Sequence, residues 1–423
     1  MSAVQIRQRP YVSQPDQSSH PYRCIATTLP GLEETLQREL ASLGAGSPVI
    51  GRQSVHFNAD RTLLYRANLE LRTALRVLVR IAAFAAATAD DLYRKAVAVP
   101  WERYLTPQMT IAVRATGNFP TSDDPRFAAL KVKDAVVDRL RKRYGRRPDV
   151  NVKNPDLQLN LYWDTDGAVL SLDSSLESLH RRGYRSEQTA APMSEVLAAG
   201  LVALSGWDGV STLYNPMCGS GTIAIEAALK AADVAPGLLQ RRFGFQSWRD
   251  YDADLWQTLH YEAQQRAQRG VALLRAGEGA GRGTGESTGG SGRAAGLAPG
   301  RVVAGDIEPA AVRIAVRNLE RTGFADLVRV VRRDFLHDAP PAVEGPAPVL
   351  LMNPPYGKRL AEPEIDQLYV DIGERLKASY AGWNAWIISG NRGALKRIGL
   401  RTSRRLTLFN GPIECSFRGY SLY

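Results

Sequence analysis

The stretch VSTLYNPMCGSGTIAIEAALKAA, from Val210 to Ala232, places an apolar run before a loop with two glycines and then a helical pattern. This order predicts a buried strand, a tight loop and an α-helix. Gly219 and Gly221 let the backbone of the loop approach a ligand closely, and the start of the following helix can orient polar groups. The loop has neither the G-x-G-x-x-G spacing of dinucleotide sites nor the Gly-Lys-Ser/Thr of a P-loop, so a phosphate ligand is disfavoured.

Strands and helices keep alternating toward the end of the chain. Residues 301–323 predict a second strand and helix, and residues 328–335 and 347–357 predict two further strands. The alternation predicts an α/β Rossmann-like fold with a doubly wound, mainly parallel sheet. Ligands of such sheets bind at the carboxyl ends of the strands.

Two acids stand at those strand ends. Asp306 ends the second strand, where a carboxylate can accept both hydroxyls of a ribose. Asp334 ends the third strand, where it can accept an adenine amino group beside the apolar edge of Phe335. Each acid alone is more often a cap or a loop residue. The glycine loop and both acids, in this order, suit an adenosine that carries no phosphates.

The fourth strand runs into LLMNPPYGKR, residues 350–359. An exocyclic amine on a base is a poor nucleophile because its lone pair is delocalised into the ring. The amide oxygen of Asn353 and the carbonyl of Pro354 can accept hydrogen bonds from its two N–H groups, and the prolines hold both acceptors rigid. Tyr356 offers a face on which an extruded base can stack. Methylation at a pyrimidine C5 would need a cysteine nucleophile, and none stands at this motif.

The first 178 residues predict a different organisation. Residues 1–21 indicate a disordered tail, followed by two α+β units. The second unit contains an amphipathic helix with Val132, Val136, Leu140 and Tyr144 on one stripe, and a hairpin that turns at Asp166-Gly167. We expect the cations of that helix and its C-terminal end to contact RNA, although such a run is more often a solvated face: Lys131, Lys133, Arg139, Arg141, Lys142, Arg143, Arg146 and Arg147.

Composition sets the remaining limits. The chain has 423 residues, 44% of them hydrophobic, and a net charge of +11, which points to several domains and a polyanionic partner. No stretch is long and apolar enough for a membrane helix, and no signal peptide pattern begins the chain. Cys24, Cys218 and Cys415 lie far apart, so neither a disulfide framework nor a metal site is expected, and a reduced cytoplasm fits best.

The ordered motifs resemble those of class I S-adenosylmethionine-dependent methyltransferases, and NPPY resembles the motif of members that methylate exocyclic amines. Further stretches, among them TTLPGLEETLQRELASLGA, SLHRRGYR and NGPIECSFRGY, look like the large-subunit ribosomal RNA guanine-N2 methyltransferases of the RlmL type. The resemblance implies an RNA-binding ferredoxin-like domain over 22–72, a THUMP domain over 73–178 and a methyltransferase domain over 179–423. A flexible Gly-rich insertion over 275–300 interrupts the last domain and is not a feature of the family.

The resemblance also implies roles for particular residues. Asn353, Pro354, Pro355 and Tyr356 would be catalytic and would hold a guanine of 23S ribosomal RNA. The S-adenosylmethionine site would include Ala191 and Pro192 at the methionine end, together with Glu195, Asn215, Pro216, Met217, Cys218, Gly219, Ser220, Gly221, Thr222, Asp306, Ile307, Asp334, Phe335 and Asn353.

The sequence departs from the family at three points. Asn215 stands where an aspartate is usual, Met193-Ser194 replaces an apolar-Lys pair, and the chain stops at Tyr423, so we expect no second methyltransferase activity. Transfer RNA is a rival substrate, adenine-N6 methylation shares the same tetrapeptide, and a catalytically idle RNA-binding factor is a further alternative. A monomer is expected.

Overall fold

A computed structural model describes residues 22–120, 124–185, 193–240, 242–276, 301–323, 325–356 and 362–423. The predicted tail and most of the Gly-rich insertion lie outside these ranges. Arg275 and Ala276, at the start of that predicted insertion, belong to a long helix instead. Among the described residues, no helix combines the length and the apolar character that crossing a membrane requires.

The N-terminal half forms one eight-stranded sheet. Its strands are β1 (Tyr22–Thr27), β2 (Val49–Gly51), β3 (Ser54–Ala59), β4 (Arg76–Phe84), β5 (Thr110–Thr116), β6 (Asp149–Val150), β7 (Leu157–Asp164) and β8 (Gly167–Asp173), in the order β2-β3-β1-β4-β8-β7-β5-β6. The helices are α1 (Glu33–Ser42), α2 (Arg61–Glu70), α3 (Ala89–Ala98) and α4 (Pro125–Tyr144). Strand β4 pairs with β1 on one side and with β8 on the other, so the two predicted α+β units share a sheet.

The amphipathic helix α4 packs on this sheet as predicted, with one exception. Val132, Val136 and Leu140 are fully buried, but Tyr144 is 47% exposed. The helix ends at Tyr144, and Gly145 takes a left-handed conformation that turns the chain away from the core. The ring of Tyr144 lies under the guanidinium of Arg143 instead, at 5.7 Å.

The C-terminal half forms a seven-stranded sheet in the order β11-β10-β9-β12-β13-β15-β14. Its strands are β9 (Leu213–Pro216), β10 (Val302–Asp306), β11 (Val328–Arg332), β12 (Val349–Met352), β13 (Asn384–Ser389), β14 (Arg404–Asn410) and β15 (Ile413–Ser421). The helices are α5 (Glu195–Leu204), α6 (Thr222–Ala231), α7 (Ala253–Ala276), α8 (Pro309–Thr322), α9 (Glu362–Ser379) and α10 (Ala394–Arg397).

This second sheet confirms the predicted doubly wound, mainly parallel arrangement. Strands β9 to β13 are parallel to one another, and β15 runs antiparallel to both β13 and β14. Leu350 and Leu351 face opposite sides of the sheet, and both are fully buried under helices. Burial on both faces explains why these strands are continuous apolar runs rather than alternating ones.

The segment after β8 joins the two sheets through buried polar contacts. Arg182 is buried and donates to the carbonyls of Leu179 at 2.7 Å and Arg72 at 2.6 Å, and its guanidinium faces Glu226 of α6 at 3.4 Å. Arg72 in turn donates to the carbonyl of Val234 at 2.9 Å. These buried contacts hold the N-terminal half against the C-terminal half.

Candidate active site

The loop between β9 and α6 has the backbone that its glycines suggested. Met217, Gly219 and Gly221 all have positive φ angles, of 54°, 56° and 78°. A Cβ atom at Gly221 would lie 3.1 Å from the Cβ of Ala315 on α8, so a side chain there would also press against the neighbouring helix. The loop is therefore a narrow backbone turn, open to a ligand at the carboxyl edge of the sheet.

Asp306 holds this loop from the neighbouring strand. Its Oδ2 accepts the N–H of Gly219 at 2.9 Å, and its Oδ1 accepts the N–H of Glu308 at 3.0 Å. The N–H of Cys218 donates to the carbonyl of Gly305 at 2.9 Å. Each carboxylate oxygen of Asp306 thus keeps a lone pair free, which is what two ribose hydroxyls would need.

Asn215, the departure from the family pattern, connects two strand ends. The residue is buried, and its Nδ2 donates to the carbonyl of Leu351 on β12 at 2.7 Å. Its Oδ1 is buried with no hydrogen-bond partner among the described residues. An amide can occupy this position without burying a charge, and it still offers an acceptor to a ligand.

Asn353 follows β12 directly, on the opposite side of β9 from Asp306. Its Oδ1 is buried and has no hydrogen-bond partner among the described residues. Leaving such an atom unpaired costs about 1–3 kcal/mol, so an incoming N–H would recover that free energy. Pro354 is buried beside it, and Pro355 is half-buried.

Two residues that the sequence analysis did not single out position Tyr356. The Nδ2 of Asn410, at the end of β14, donates to the Tyr356 hydroxyl at 2.9 Å. At Gly390, just after β13, a Cβ atom would lie 3.0 Å from two ring carbons of Tyr356. Burial raises the pKa of Tyr356 to about 12, so the phenol stays neutral. Asn410 lies in the quoted stretch NGPIECSFRGY, but only the fold shows what it contacts.

At the predicted adenine-binding end of the site, Phe335 does not have the exposed position that the sequence suggested. Phe335 is only 3% exposed and stacks on Tyr380 at 5.4 Å, so it belongs to the core rather than to an open edge. Ile307, which follows Asp306, is 51% exposed and is the apolar surface available there. Burial opposes ionisation of Asp334, but the His337 ring at 2.7 Å and backbone N–H groups hold the pKa of its carboxyl below the usual range.

At the predicted methionine end the structure describes Glu195 but not Ala191 or Pro192, which lie outside the described residues. Glu195 is buried and forms an ion pair with Arg185 at 3.3 Å. Burial raises the pKa of Glu195, and Arg185 opposes that effect. Arg185 also donates to the carbonyl of Met193 at 2.5 Å, and its Nη2 lies 3.5 Å from the hydroxyl of Thr222.

The other predicted loop residues support the turn itself. Pro216 is the last residue of β9, and the hydroxyls of Ser220 and Thr222 lie 3.1 Å apart. The carbonyl of Ser220 accepts a hydrogen bond from the side chain of Asn318 at 3.0 Å. Burial raises the pKa of the Cys218 thiol, which fits a small packing residue better than a nucleophile.

The predicted RNA-binding cations of α4 fall into two groups. Five of them face acids: Lys131 faces Asp90, Lys133 faces Asp134, Arg141 faces Asp138, and both Arg139 and Arg143 face Glu102. Arg139 also donates to the carbonyls of Val97 and Ala98. Within the described ranges, no ion pair involves Lys142, Arg146 or Arg147, and all three are exposed.

The chain matches three protein-family models. An RlmL ferredoxin-like domain matches residues 23–78, a THUMP domain matches 86–173, and an RMKL-like methyltransferase domain matches 182–418.

Individual relatives agree with these models. The putative RNA methyltransferase slr0064 of Synechocystis is 38% identical over 96% of this chain and 98% of its own length. Ribosomal RNA large subunit methyltransferase K/L of Allochromatium vinosum is 39% identical over 92% of this chain, which spans about half of that relative's length (50%). The crystal structure of SMU.472, a putative methyltransferase complexed with SAH, matches with a TM-score of 0.80 and 25% identity, over 95% of this chain and 98% of that one.

The fold, the site and these matches define a class I S-adenosylmethionine-dependent methyltransferase with an N-terminal THUMP domain. Within that class the chain belongs to the RMKL-like methyltransferase family. The residues at the site fit the cofactor: Asp306 has acceptor capacity for a ribose, Ile307 is an exposed apolar surface, and the buried oxygen of Asn215 has no partner within the described ranges.

Proposed function

We propose that this protein transfers a methyl group from S-adenosylmethionine to the exocyclic N2 of a guanine in 23S ribosomal RNA. The observation that carries the proposal is the buried Oδ1 of Asn353, which has no hydrogen-bond partner in the described part of the chain and lies at the strand end next to the glycine loop. The names of the K/L relatives, which refer to large-subunit ribosomal RNA, favour this RNA as the substrate.

The chain's own residues have distinct tasks in this proposal. The Oδ1 of Asn353 and the carbonyl of Pro354 accept the two N–H bonds of the guanine amine, which moves the nitrogen toward tetrahedral geometry and exposes its lone pair. The proline pair fixes both acceptors before the base arrives, so little reorganisation is needed. Tyr356, held by Asn410, presents its ring to the extruded base. Bound S-adenosylmethionine supplies an electrophilic methyl group on its sulfonium.

The cofactor residues are assigned by the same logic. Asp306 accepts the ribose hydroxyls, because both of its oxygens have acceptor capacity left after binding the loop. Ile307 and Asp334 contact the adenine, while Asn215 and Glu195 line the methionine end. After transfer, the methylated nitrogen is strongly acidic and loses its extra proton to solvent.

The proposal is tested by incubating the protein with labelled S-adenosylmethionine and either large-subunit ribosomal RNA or transfer RNA, both from cells that lack this gene. We expect label in 23S RNA and N2-methylguanosine after nucleoside digestion. Label in transfer RNA would show that transfer RNA is the substrate instead. N6-methyladenosine would show that the enzyme methylates adenine rather than guanine. Cofactor binding without label in any RNA would favour an idle RNA-binding factor.

A further inference from the structure

A cavity of about 700 Å³ lies beside the active-site loop, where the segment after β8 meets the turn that follows α6. Its wall is rich in groups that can bind an anion. The lining residues that matter here are Asn154, His180, Arg181, Arg185, Glu195 and Arg242.

The wall contains three arginines, Arg181, Arg185 and Arg242, and two acids, Glu177 and Glu195. Arg181 is exposed, and its guanidinium has no hydrogen bond or ion pair among the residues that the structure describes. Arg242 donates to the side chain of Asn154 at 2.9 Å and lies 3.8 Å from Asp156. Of the two acids in the wall, Glu195 already faces Arg185, and Glu177 is exposed to solvent. Arg181 therefore retains donors that an anion can use, whereas Arg242, which also donates to Ser247, would share its guanidinium between these partners and an anion.

The pKa of His180, the histidine that lines the cavity, is affected by nearby arginines. Burial, together with Arg181, Arg182, Arg185 and Arg76, lowers the pKa of His180 to about 4. His180 is thus neutral at pH 7, and its Nδ1 lies 2.7 Å from the hydroxyl of Ser178. Arg76, Arg182 and Arg185 each face a carboxylate, so Arg181 is the arginine near His180 whose charge is least compensated within the described part of the chain.

The cavity lies between two parts of the proposed machinery. On one side, Arg185 contacts Thr222 of the glycine loop; its side chain is only 10% exposed, and its Nε is buried with no hydrogen-bond partner among the described residues. On the other side, Asn154 follows β6, the short strand after Arg146 and Arg147. The cavity wall therefore combines a residue of the N-terminal half with residues that lead to the glycine loop.

We propose that the cavity binds a backbone phosphate of the RNA substrate close to the target nucleotide, with Arg181 and Arg242 as its principal contacts. This inference rests on the proposed RNA substrate. Guanidinium groups make forked hydrogen bonds to phosphate oxygens, and fixing one phosphate would set which neighbouring base reaches Asn353. The competing anion is the carboxylate of the cofactor. Of the three arginines, Arg185 contacts the described cofactor loop, while Arg242 bonds to Asn154 of the N-terminal half.

The test compares two variants that each lose two positive charges. Arg181→Ala with Arg242→Ala removes the proposed contacts, and Arg269→Ala with Arg321→Ala removes two exposed arginines that do not line the cavity. Equilibrium affinity for large-subunit ribosomal RNA is measured over a salt series, and S-adenosylmethionine affinity is measured by calorimetry.

We expect the cavity variant to bind RNA about 10-fold or more weakly at physiological salt. The slope of log affinity against log salt should become shallower by about one, because the contact to one phosphate is lost. The control variant should keep its RNA affinity within about 2-fold and should keep the salt slope of the wild type. Neither variant should change the affinity for S-adenosylmethionine. A third variant, Arg181→Lys with Arg242→Lys, should recover the slope but only part of the affinity, because lysine keeps the charge and loses the fork.

Two results would overturn the inference. An unchanged RNA affinity and salt slope in the cavity variant would exclude a phosphate contact, and weakened cofactor binding would assign the cavity to the cofactor's carboxylate. RNA affinity is measured without methyl transfer, so it does not depend on which nucleoside is the product. A product other than N2-methylguanosine would therefore contradict the proposed function alone.

Discussion

The carboxyl edge of the methyltransferase sheet and the basic helix α4 both carry polar side chains that the sequence marks for function, but they differ in how much bonding capacity is already used. At the sheet edge, Asn215 and Asn353 each keep a buried oxygen that has no hydrogen-bond partner among the residues the structure describes. On α4, Arg139 is held by both oxygens of Glu102 and by two backbone carbonyls.

This difference shows where a structure adds most to sequence interpretation. A buried acceptor without a partner is costly, so a fold retains one mainly where a ligand completes the bond. An ion pair on the surface changes the free energy of folding very little, so a fold can contain many of them. Counting charges in the sequence therefore cannot separate paired arginines from available ones. The sheet edge is therefore recognisable from motifs, whereas α4 has to be sorted by its contacts.

The largest expected effect is at the sheet edge. Asn353→Ala should lower kcat about 10²- to 10³-fold, because the target amine loses an acceptor that is fixed in advance. S-adenosylmethionine affinity should change less than about 2-fold, since we assign Asn353 mainly to the amine. Steady-state kinetics and calorimetry separate the two effects. Asn353→Asp, which keeps an acceptor oxygen, should retain more activity, and a parallel loss of cofactor binding in Asn353→Ala would refute the acceptor role.

The next effect concerns the cofactor side of the same edge. Asp306→Ala should weaken S-adenosylmethionine binding about 10- to 100-fold, because hydrogen bonds to a charged acceptor contribute about 1.5–3 kcal/mol each. The neighbouring exposed carboxylate provides a matched control, and Glu308→Ala should stay within about 2-fold in the same calorimetric titration. Equal losses in both variants would show that general negative charge matters rather than the position of Asp306.

For α4 and the residues just after it, the comparison predicts opposite outcomes for arginines of similar sequence context. Arg146→Ala with Arg147→Ala should weaken RNA binding several-fold and reduce the salt slope by about two, with no change in unfolding midpoint. Arg139→Ala should instead lower the free energy of unfolding by about 1–2 kcal/mol and leave the salt slope unchanged. A reduced salt slope in Arg139→Ala would mean that its pair with Glu102 opens to bind RNA.

Acid titration sharpens the same distinction. Hydrogen bonds from Arg139 are the main reason that the pKa of Glu102 is lowered to about 2 from its ordinary 4.5. A carboxyl whose folded pKa is depressed stabilises the fold above its unfolded pKa, and this stability is lost as pH falls through the folded pKa. The stability difference between wild type and Arg139→Ala should therefore be constant above pH 4.5 and shrink toward pH 2 in denaturant titrations.

The smallest effect is expected at the tyrosine. Asn410→Ala and Tyr356→Phe each remove the same hydrogen bond, so each should raise KM for RNA about 3- to 5-fold through looser positioning of the ring. The double variant should be no worse than either single one, because both changes break one interaction. Additive effects in this double-mutant cycle would mean that the two side chains act separately.

Much of the fold and the order of the site follow from local sequence. The strand-and-helix alternation, the positions of Asp306 and Asn353 and the turn at Gly219 are all set within short windows by apolar periodicity and by glycine. The role of Asn410 could not be predicted, because it lies 54 residues from Tyr356 and the antiparallel β15 hairpin brings them together. Phe335 was expected at an open edge and is buried, whereas Tyr144 was expected on the buried stripe and is exposed. Both differences arise because tertiary packing decides burial at the ends of helices and strands.

Strand β4 has a consequence for how this protein could be recombined with its relatives. It is hydrogen-bonded to β1 of the ferredoxin-like segment and to β8 of the THUMP segment. A chimaera joined between these segments would have to rebuild one ladder of β4 with foreign partners, or leave an aggregation-prone edge. A junction after β8 preserves every strand pairing of the sheet, so the ferredoxin-like and THUMP segments are best inherited, and exchanged, as a pair.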